Sequence, residues 1–234
     1  MQQLPCHHQL IVFTRYPEVG KNKTRLIPAL GADLATQLHQ HLAEYTLHQS
    51  RQINLGQSTS NLTKITVSFT GGDRDFMADW LGADLDYQPQ GTGDLGAKML
   101  GALTQLRQPG RDNYFVIVGT DCPELDTQML QKSFQELAHH DLVLGEAADG
   151  GYYLIGLRVT RLKQIIPQLF QDIAWGTETV FRETVMMADR LGLKIGYLPL
   201  LRDIDRPADL TYLASLPNFS AILDNLLQKN QKDT

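Results

Sequence analysis

Cysteine is nearly absent from this sequence. Cys6 and Cys122 are the only two among 234 residues, and neither belongs to a CxxC or other zinc-like spacing. Neither a disulfide framework nor a structural zinc site is expected, and a reducing cytoplasm is the simplest setting. A basic excess is also missing. Lys and Arg number 21 against 26 Asp and Glu, a net charge of -5, which argues against a general nucleic-acid surface built to displace counterions. No apolar run reaches the roughly 18 residues of a membrane span. Residues 1–9 are polar, carry two histidines and lack the apolar core of a signal peptide. The chain has no Walker A loop, no GxGxxG after its first apolar run and no GxSxG nucleophile elbow. Its histidines (7 and 8, then 39, 41 and 48 along what reads as a polar helix face, then 139 and 140) form no metal spacing.

What is present suits a globular enzyme-sized core: 42% hydrophobic and 20% charged residues. Continuous apolar runs at 10–14 (LIVFT), 65–69 (ITVSF) and 114–118 (YFVIV) read as strands buried on both faces. Shorter strands are expected at 142–144, 152–157 and 194–198. Apolar residues spaced three and four apart predict helices over 32–51, 94–106, 126–138 and 177–191, with shorter ones at 73–81, after Pro207 and at 221–227. Residues 54–63 read as an exposed polar connection, and the chain ends in a polar tail. Strands alternate with helices throughout, without repeats or an obvious linker. The expectation is one α/β domain over 1–234, a mostly parallel sheet covered by helices in three layers.

Ligands of open parallel sheets bind where loops leave the strand carboxyl ends. The first strand feeds a loop with Arg15, Lys21, Lys23 and Arg25, four cations in eleven residues, with Gly20 allowing close backbone approach. That composition suits phosphate, and a solvated basic loop is the competing reading. The strand at 114–118 ends in Gly119-Thr120-Asp121. A carboxylate emerging there calls for a cation such as Mg²⁺, or else caps the turn before Pro123; both readings stand. Two further acidic segments follow strands: Glu146 to Gly151, around Asp149, and Asp203-Ile204-Asp205. In an extended segment Asp203 and Asp205 share a side, although Asp205 also fits a helix cap ahead of Pro207. Thr177 fits the cap of the long helix and Glu178 its first turn, which explains both without chemistry.

These landmarks together resemble one family. Residues 13–26 (FTRYPEVGKNKTRL), 93–99 (GDLGAKM), 119–125 (GTDCPEL), 149–157 (DGGYYLIGL), 175–178 (WGTE) and 203–210 (DIDRPADL) resemble the bacterial DUF2064 group, glycosyltransferase-like members of the nucleotide-diphospho-sugar transferase (GT-A) superfamily. The resemblance implies a GT-A fold, with a Rossmann-like sheet binding a nucleotide at its strand carboxyl ends. By position, Lys23, Thr24 and Arg25 resemble a phosphate-binding loop. Asp121 resembles the superfamily's metal-binding aspartate, and Asp205 a second metal position. Gly93, Asp94 and Leu95 would open the helix near the nucleotide base. The chain departs from the superfamily in lacking a full Asp-x-Asp, since Cys122 and Pro123 follow Asp121, and in lacking the LxGGxGxR loop of sugar nucleotidyltransferases.

Three functions are therefore expected in order. The first is a glycosyltransferase acting on a nucleotide-diphosphate sugar with Mg²⁺ or Mn²⁺ held by Asp121 and Asp205, and Asp149 serving the acceptor hydroxyl. The second is a nucleotidyltransferase that joins an NTP to a phosphorylated small molecule and releases pyrophosphate. The third is a non-catalytic nucleotide-binding protein. The expected partner is a nucleotide or nucleotide sugar, not nucleic acid, and no motif specifies an oligomeric state.

Overall fold

A strand that is apolar at every position has no side to give to water, so it must be covered on both faces. In the computed structural model, which describes residues 6–54, 62–108, 112–159 and 164–230, the apolar runs take the middle of one seven-stranded sheet. Its strands are β1 (Cys6–Arg15), β2 (Lys64–Thr70), β3 (Asp86–Pro89), β4 (Asp112–Val118), β5 (Leu142–Ala147), β6 (Tyr152–Arg158) and β7 (Ile195–Leu201). They lie in the order β3-β2-β1-β4-β6-β5-β7. Only β6 runs antiparallel to its neighbours, β4 and β5, and every other pairing is parallel.

The helices are α1 (Ile27–Leu30), α2 (Ala32–Gln52), α3 (Arg74–Leu81), α4 (Leu95–Leu106), α5 (Thr127–Leu137), α6 (Ile166–Leu169), α7 (Val180–Arg190), α8 (Asp209–Ser215) and α9 (Pro217–Asn230). Alternation along the strands divides the core into two layers. Leu10 and Val12 of β1 and Val116 and Val118 of β4 pack with Leu47 of α2, Met77 of α3 and Phe134 of α5. Ile11, Phe115 and Ile117 turn the other way, onto Met99 and Leu103 of α4, Leu169 of α6 and Ala188 of α7. A third cluster joins Leu26, Leu30, Leu38 and Leu42 to Ile204, Leu213 and Phe219. It fastens the segment after β1 to the segment after β7.

The structure corrects several boundaries. β3 was not anticipated: four residues, none buried, paired only with β2 at the sheet edge, carry no apolar run to reveal them. The long helix begins at Val180 rather than 177. Thr177 and Glu178 lie in the turn before it, where Thr177 donates to the Ala174 carbonyl at 2.7 Å. Glu183, not Glu178, is the acid of the first turn, and it accepts from the Ala174 N–H at 2.7 Å and the Thr179 hydroxyl at 2.8 Å. The helix after Pro207 starts at Asp209. Its own carboxylate takes the Asp205 and Arg206 N–H groups at 3.1 and 2.7 Å, so Asp205 is not the cap. Of the connection at 54–63, residues 55–61 lie outside the described residues, as do residues 1–5 and the tail at 231–234. No helix among the described residues is long and apolar enough to cross a membrane.

Two of the sequence motifs meet in one contact. The turn between β5 and β6 runs through Gly150, which has φ +88° and donates to the Ala147 carbonyl at 3.0 Å while accepting from the Phe181 N–H at 2.9 Å. A Cβ on Gly150 would stand 2.1 Å from the backbone oxygen of Glu178. Both conformation and space therefore require glycine, and the DGG turn and the WGTE segment dock because that side chain is missing. Gly150→Ala is expected to destabilise the fold by about 2–4 kcal/mol. Thermal unfolding checks this, and an unchanged melting temperature would refute the contact.

Candidate functional site

The carboxyl ends of β1 and β4 lie side by side and open into a cavity of 480 Å³, within the range of about 300–1,000 Å³ typical of small-molecule sites. Phe13, Thr14, Arg15 and Lys21 through Arg25 line it from the β1 side, Gly119, Thr120 and Asp121 from the β4 side, and His39, Gln90, Leu95 and Asp205 complete it. The Thr14 and Thr120 hydroxyls, both buried, stand 3.4 Å apart where the two strands end.

The loop from Tyr16 to Lys23 is shaped from within. Asn22 is buried, accepts from the Glu18 N–H at 2.8 Å and donates to the Tyr16 carbonyl at 3.3 Å. Lys21 pairs with Glu18 at 2.6 Å, a counter-charge inside the basic loop that holds the Glu18 carboxyl below its ordinary pKa. Lys23 takes φ 47°, a left-handed conformation shared among the described non-glycine residues only by Asp172. Such strain persists where surrounding contacts over-determine it. Here they are Leu26 beyond it, fully buried in the third core cluster, and the two hydrogen bonds of its own ammonium.

That ammonium donates to the Asp121 carboxylate and to the Ile204 carbonyl. Ile204 in turn donates its N–H to the Asp121 carbonyl at 2.9 Å, so the ends of β1, β4 and β7 converge on one residue. The Lys23 side chain is 5% exposed and that of Asp121 54% exposed; the lysine is committed and the carboxylate remains open. Partial desolvation at the strand end raises the Asp121 pKa, the adjacent Lys23 charge and hydrogen bond lower it by more, and the net shift is downward. Arg25 pairs with Asp205 across the same opening.

The expected site residues thus fall into two groups. Arg15, Lys21, Lys23, Arg25, Leu95, Asp121 and Asp205 line one cavity. Gly93 and Asp94 do not; Asp94 caps α4 by accepting from the Ala97 N–H at 2.8 Å, which leaves Leu95 at the helix end facing the cavity. Asp149 is also outside the lining. It accepts from the Gly151 N–H at 2.8 Å and is close enough to act electrostatically on Arg25 and on Asp203. Burial first, then the charges of Asp149 and Asp121, raise the Asp203 pKa.

His39 corrects the sequence reading, which put it on a polar helix face. It is 6% exposed and belongs to the cavity lining. The signal was available: with Ala35, Leu42 and Thr46 it continues the buried spacing of α2.

Among the described residues no group of three or more His, Cys, Asp or Glu side chains gathers as a protein-only metal cage would need. Asp121 and Asp205, both on the cavity wall, instead fit a hard cation of the Mg²⁺ kind, which takes one or two carboxylates and completes its shell with water and substrate phosphate.

Residues 54–177 match the model of a family described as uncharacterized protein conserved in bacteria (DUF2064). No curated protein matches the chain. Among solved structures, a candidate nucleotide-diphospho-sugar transferase from Desulfovibrio desulfuricans G20 is 28% identical over 96% of this chain and 95% of its own, with a TM-score of 0.76. A manganese complex of Rv0371c from Mycobacterium tuberculosis H37Rv is 16% identical, covering 90% of this chain and 100% of its own, with a TM-score of 0.54. A cytidylyltransferase from Leptospira borgpetersenii serovar Hardjo-bovis is 16% identical, covering 98% and 96%, with a TM-score of 0.51. The last two are likenesses of fold. The mostly parallel seven-stranded sheet with helices on both faces is the nucleotide-diphospho-sugar transferase fold.

Proposed function

The chain belongs to the DUF2064 family, and from that premise we propose that it is a metal-assisted transferase, one domain over 1–234, that moves a glycosyl group from a nucleotide-diphosphate sugar to an acceptor hydroxyl. The observation that carries this reading is the cavity itself: Arg15, Lys21, Lys23 and Arg25 face Asp121 and Asp205 across the ends of β1 and β4. Cations on one wall suit a diphosphate, and carboxylates on the other suit a divalent ion bridging to it. The likeness along nearly the whole chain to a candidate nucleotide-diphospho-sugar transferase supports the sugar donor, and the manganese found with a structural relative supports the metal.

In the proposed reaction the bond between the sugar carbon and the diphosphate oxygen breaks, and the acceptor oxygen bonds to that carbon. The acceptor's proton passes to a carboxylate, for which Asp149, beside Arg25 and Asp203, is the candidate. Lys21, Lys23, Arg25 and Arg15 hold the diphosphate and oppose the charge that grows on it. Mg²⁺ or Mn²⁺ on Asp121 and Asp205 would add charge neutralisation at the same leaving group.

A nucleotidyltransferase is the second reading, favoured by the four cations on one cavity wall, which also suit a triphosphate, and by the cytidylyltransferase fold relative. Incubating the protein and Mg²⁺ with a panel of sugar nucleotides and NTPs separates the two. Release of NDP from a sugar nucleotide is expected, and pyrophosphate release from an NTP would replace the first reading with the second. Tight binding without turnover, unchanged in Asp121→Ala, would leave only a non-catalytic binding protein.

A further inference from the structure

His39 has one committed nitrogen and one open one. Nε2 lies 2.8 Å from the Arg15 carbonyl oxygen. A carbonyl can only accept, so Nε2 carries the hydrogen and Nδ1 of the neutral ring carries a lone pair. Nδ1 has no hydrogen-bond partner among the described residues, yet it is not among the sealed, unpartnered polar atoms of the interior. The residue is 6% exposed and lines the cavity, and Nδ1 is its ring nitrogen left for a cavity ligand. The ring packs against Trp80, with centroids 6.1 Å apart and the planes tilted at 43°. Burial lowers its pKa. The Arg15 carbonyl and Asp121 oppose that shift, Lys23 and Arg15 add to it, and the net direction is downward, in favour of the neutral ring.

The charged groups on this wall (Arg15, Lys21, Lys23, Arg25) are all donors suited to phosphate, while the amides of Asn22 and Gln90 are engaged by backbone. An acceptor among them repels phosphate oxygen and selects a group that brings its own hydrogen. Resting on the nucleotide-diphosphate reading above, we propose that His39 Nδ1 accepts a hydrogen bond from a hydroxyl of a sugar joined directly to the diphosphate. It thereby distinguishes a nucleotide from a bare polyphosphate. The sugar is either the ribose or the transferred glycosyl group.

Calorimetric titration of the full chain with UDP, CDP, ADP, GDP, UDP-glucose and inorganic pyrophosphate, each with Mg²⁺, tests this. His39→Leu is expected to bind at least one sugar-bearing diphosphate, the preferred nucleoside diphosphate or UDP-glucose, about tenfold more weakly, and pyrophosphate as the wild type does. His39→Gln keeps a donor for Arg15 and an acceptor for the ligand, and is expected to restore most of the loss. A loss already present with the nucleoside diphosphate assigns the ribose, and a loss seen only with UDP-glucose assigns the glycosyl group. Equal weakening toward pyrophosphate, or no weakening toward any ligand, overturns the proposal.

Should His39→Leu fail to fold, nitrogen-15 spectra of the histidines in the unaltered protein give the same answer. The Nδ1 signal of His39 is expected to move with the sugar-bearing ligand and to stay in place with pyrophosphate, and the reverse refutes it. A wild-type protein that binds none of the nucleotides overturns the parent reading and this one together. Normal binding that is unchanged in His39→Leu overturns this one alone.

Discussion

Lys23→Met is expected to weaken nucleotide-diphosphate binding by about 100-fold or more, the loss expected when one charge-assisted contact to a recessed phosphate is removed. Methionine keeps the length and packing of the lysine stem, so the loss is of charge. The same change has a second consequence of opposite sign. In the free protein the Lys23 ammonium sits on the Asp121 carboxylate and the Ile204 carbonyl, where it competes with any metal approaching Asp121. Without it, Mn²⁺ alone is expected to bind the variant at least as tightly as the wild type, while Mn²⁺ with nucleotide binds far less. Titration of Mn²⁺ by electron paramagnetic resonance, with and without nucleotide, reads both effects. A variant that weakens metal and nucleotide together would show that Lys23 merely supports the fold of the loop.

Asp121→Asn is expected to lower turnover by about 10³-fold, in the range seen when one preorganised charge contact to a developing anion is removed. Asparagine is the informative substitution because its amide oxygen still accepts from Lys23. Alanine would remove the acceptor as well as the charge from a nearly buried ammonium, which costs stability for reasons unrelated to chemistry. Mn²⁺ affinity in the presence of nucleotide is expected to fall with turnover, while nucleotide affinity without metal holds or improves, because a neutral amide holds Lys23 less firmly than a carboxylate and leaves it more available to phosphate. Full turnover in Asp121→Asn would remove the metal from the proposal. The pH dependence follows from the downward pKa shift of Asp121. A carboxyl whose folded value is depressed contributes to stability above its unfolded value near 3.8, and the contribution disappears as pH falls through the lower, folded value. Activity through this residue is therefore lost only in that acid range.

The sequence was most legible where burial is two-sided. The runs LIVFT, ITVSF and YFVIV announced β1, β2 and β4, and each proved two to five residues longer than its apolar stretch. Ladder hydrogen bonds extend past the residues that need burying, as with Asp112 and Asn113 at the start of β4, paired with Cys6 and His7. β3 was invisible for the converse reason. DYQP sits at the sheet edge with no buried residue, and edge pairing leaves no mark in hydrophobic periodicity. Helix starts misled where a good local cap was available but unused. Thr177 and Asp205 both fit a cap, yet docking of the 174–179 turn onto Gly150 and the Arg25–Asp205 pair engaged these segments otherwise. The site was half legible. Composition marked Arg15, Lys21, Lys23 and Arg25 as one group, and three acidic loop ends as another, because charge is carried by single residues.

By itself the sequence determined the layered α/β architecture, since alternating apolar runs and helical stripes can be buried only by a sheet covered on both faces. It also determined that cations and carboxylates lie at strand ends. Only the tertiary structure decided which of them meet. The crossovers place β1 beside β4, and the Ile204 N–H to Asp121 carbonyl bond brings the loop after β7 to the same point. Lys23 thereby reaches Asp121 across 98 residues of chain and Ile204 across 181. The same packing turned His39 from a face that read as polar into the cavity wall, and left Asp149 beside the cavity rather than in it. Contacts at such separations depend on strand order and on the direction each loop leaves its strand, and neither is written in any local pattern of residues.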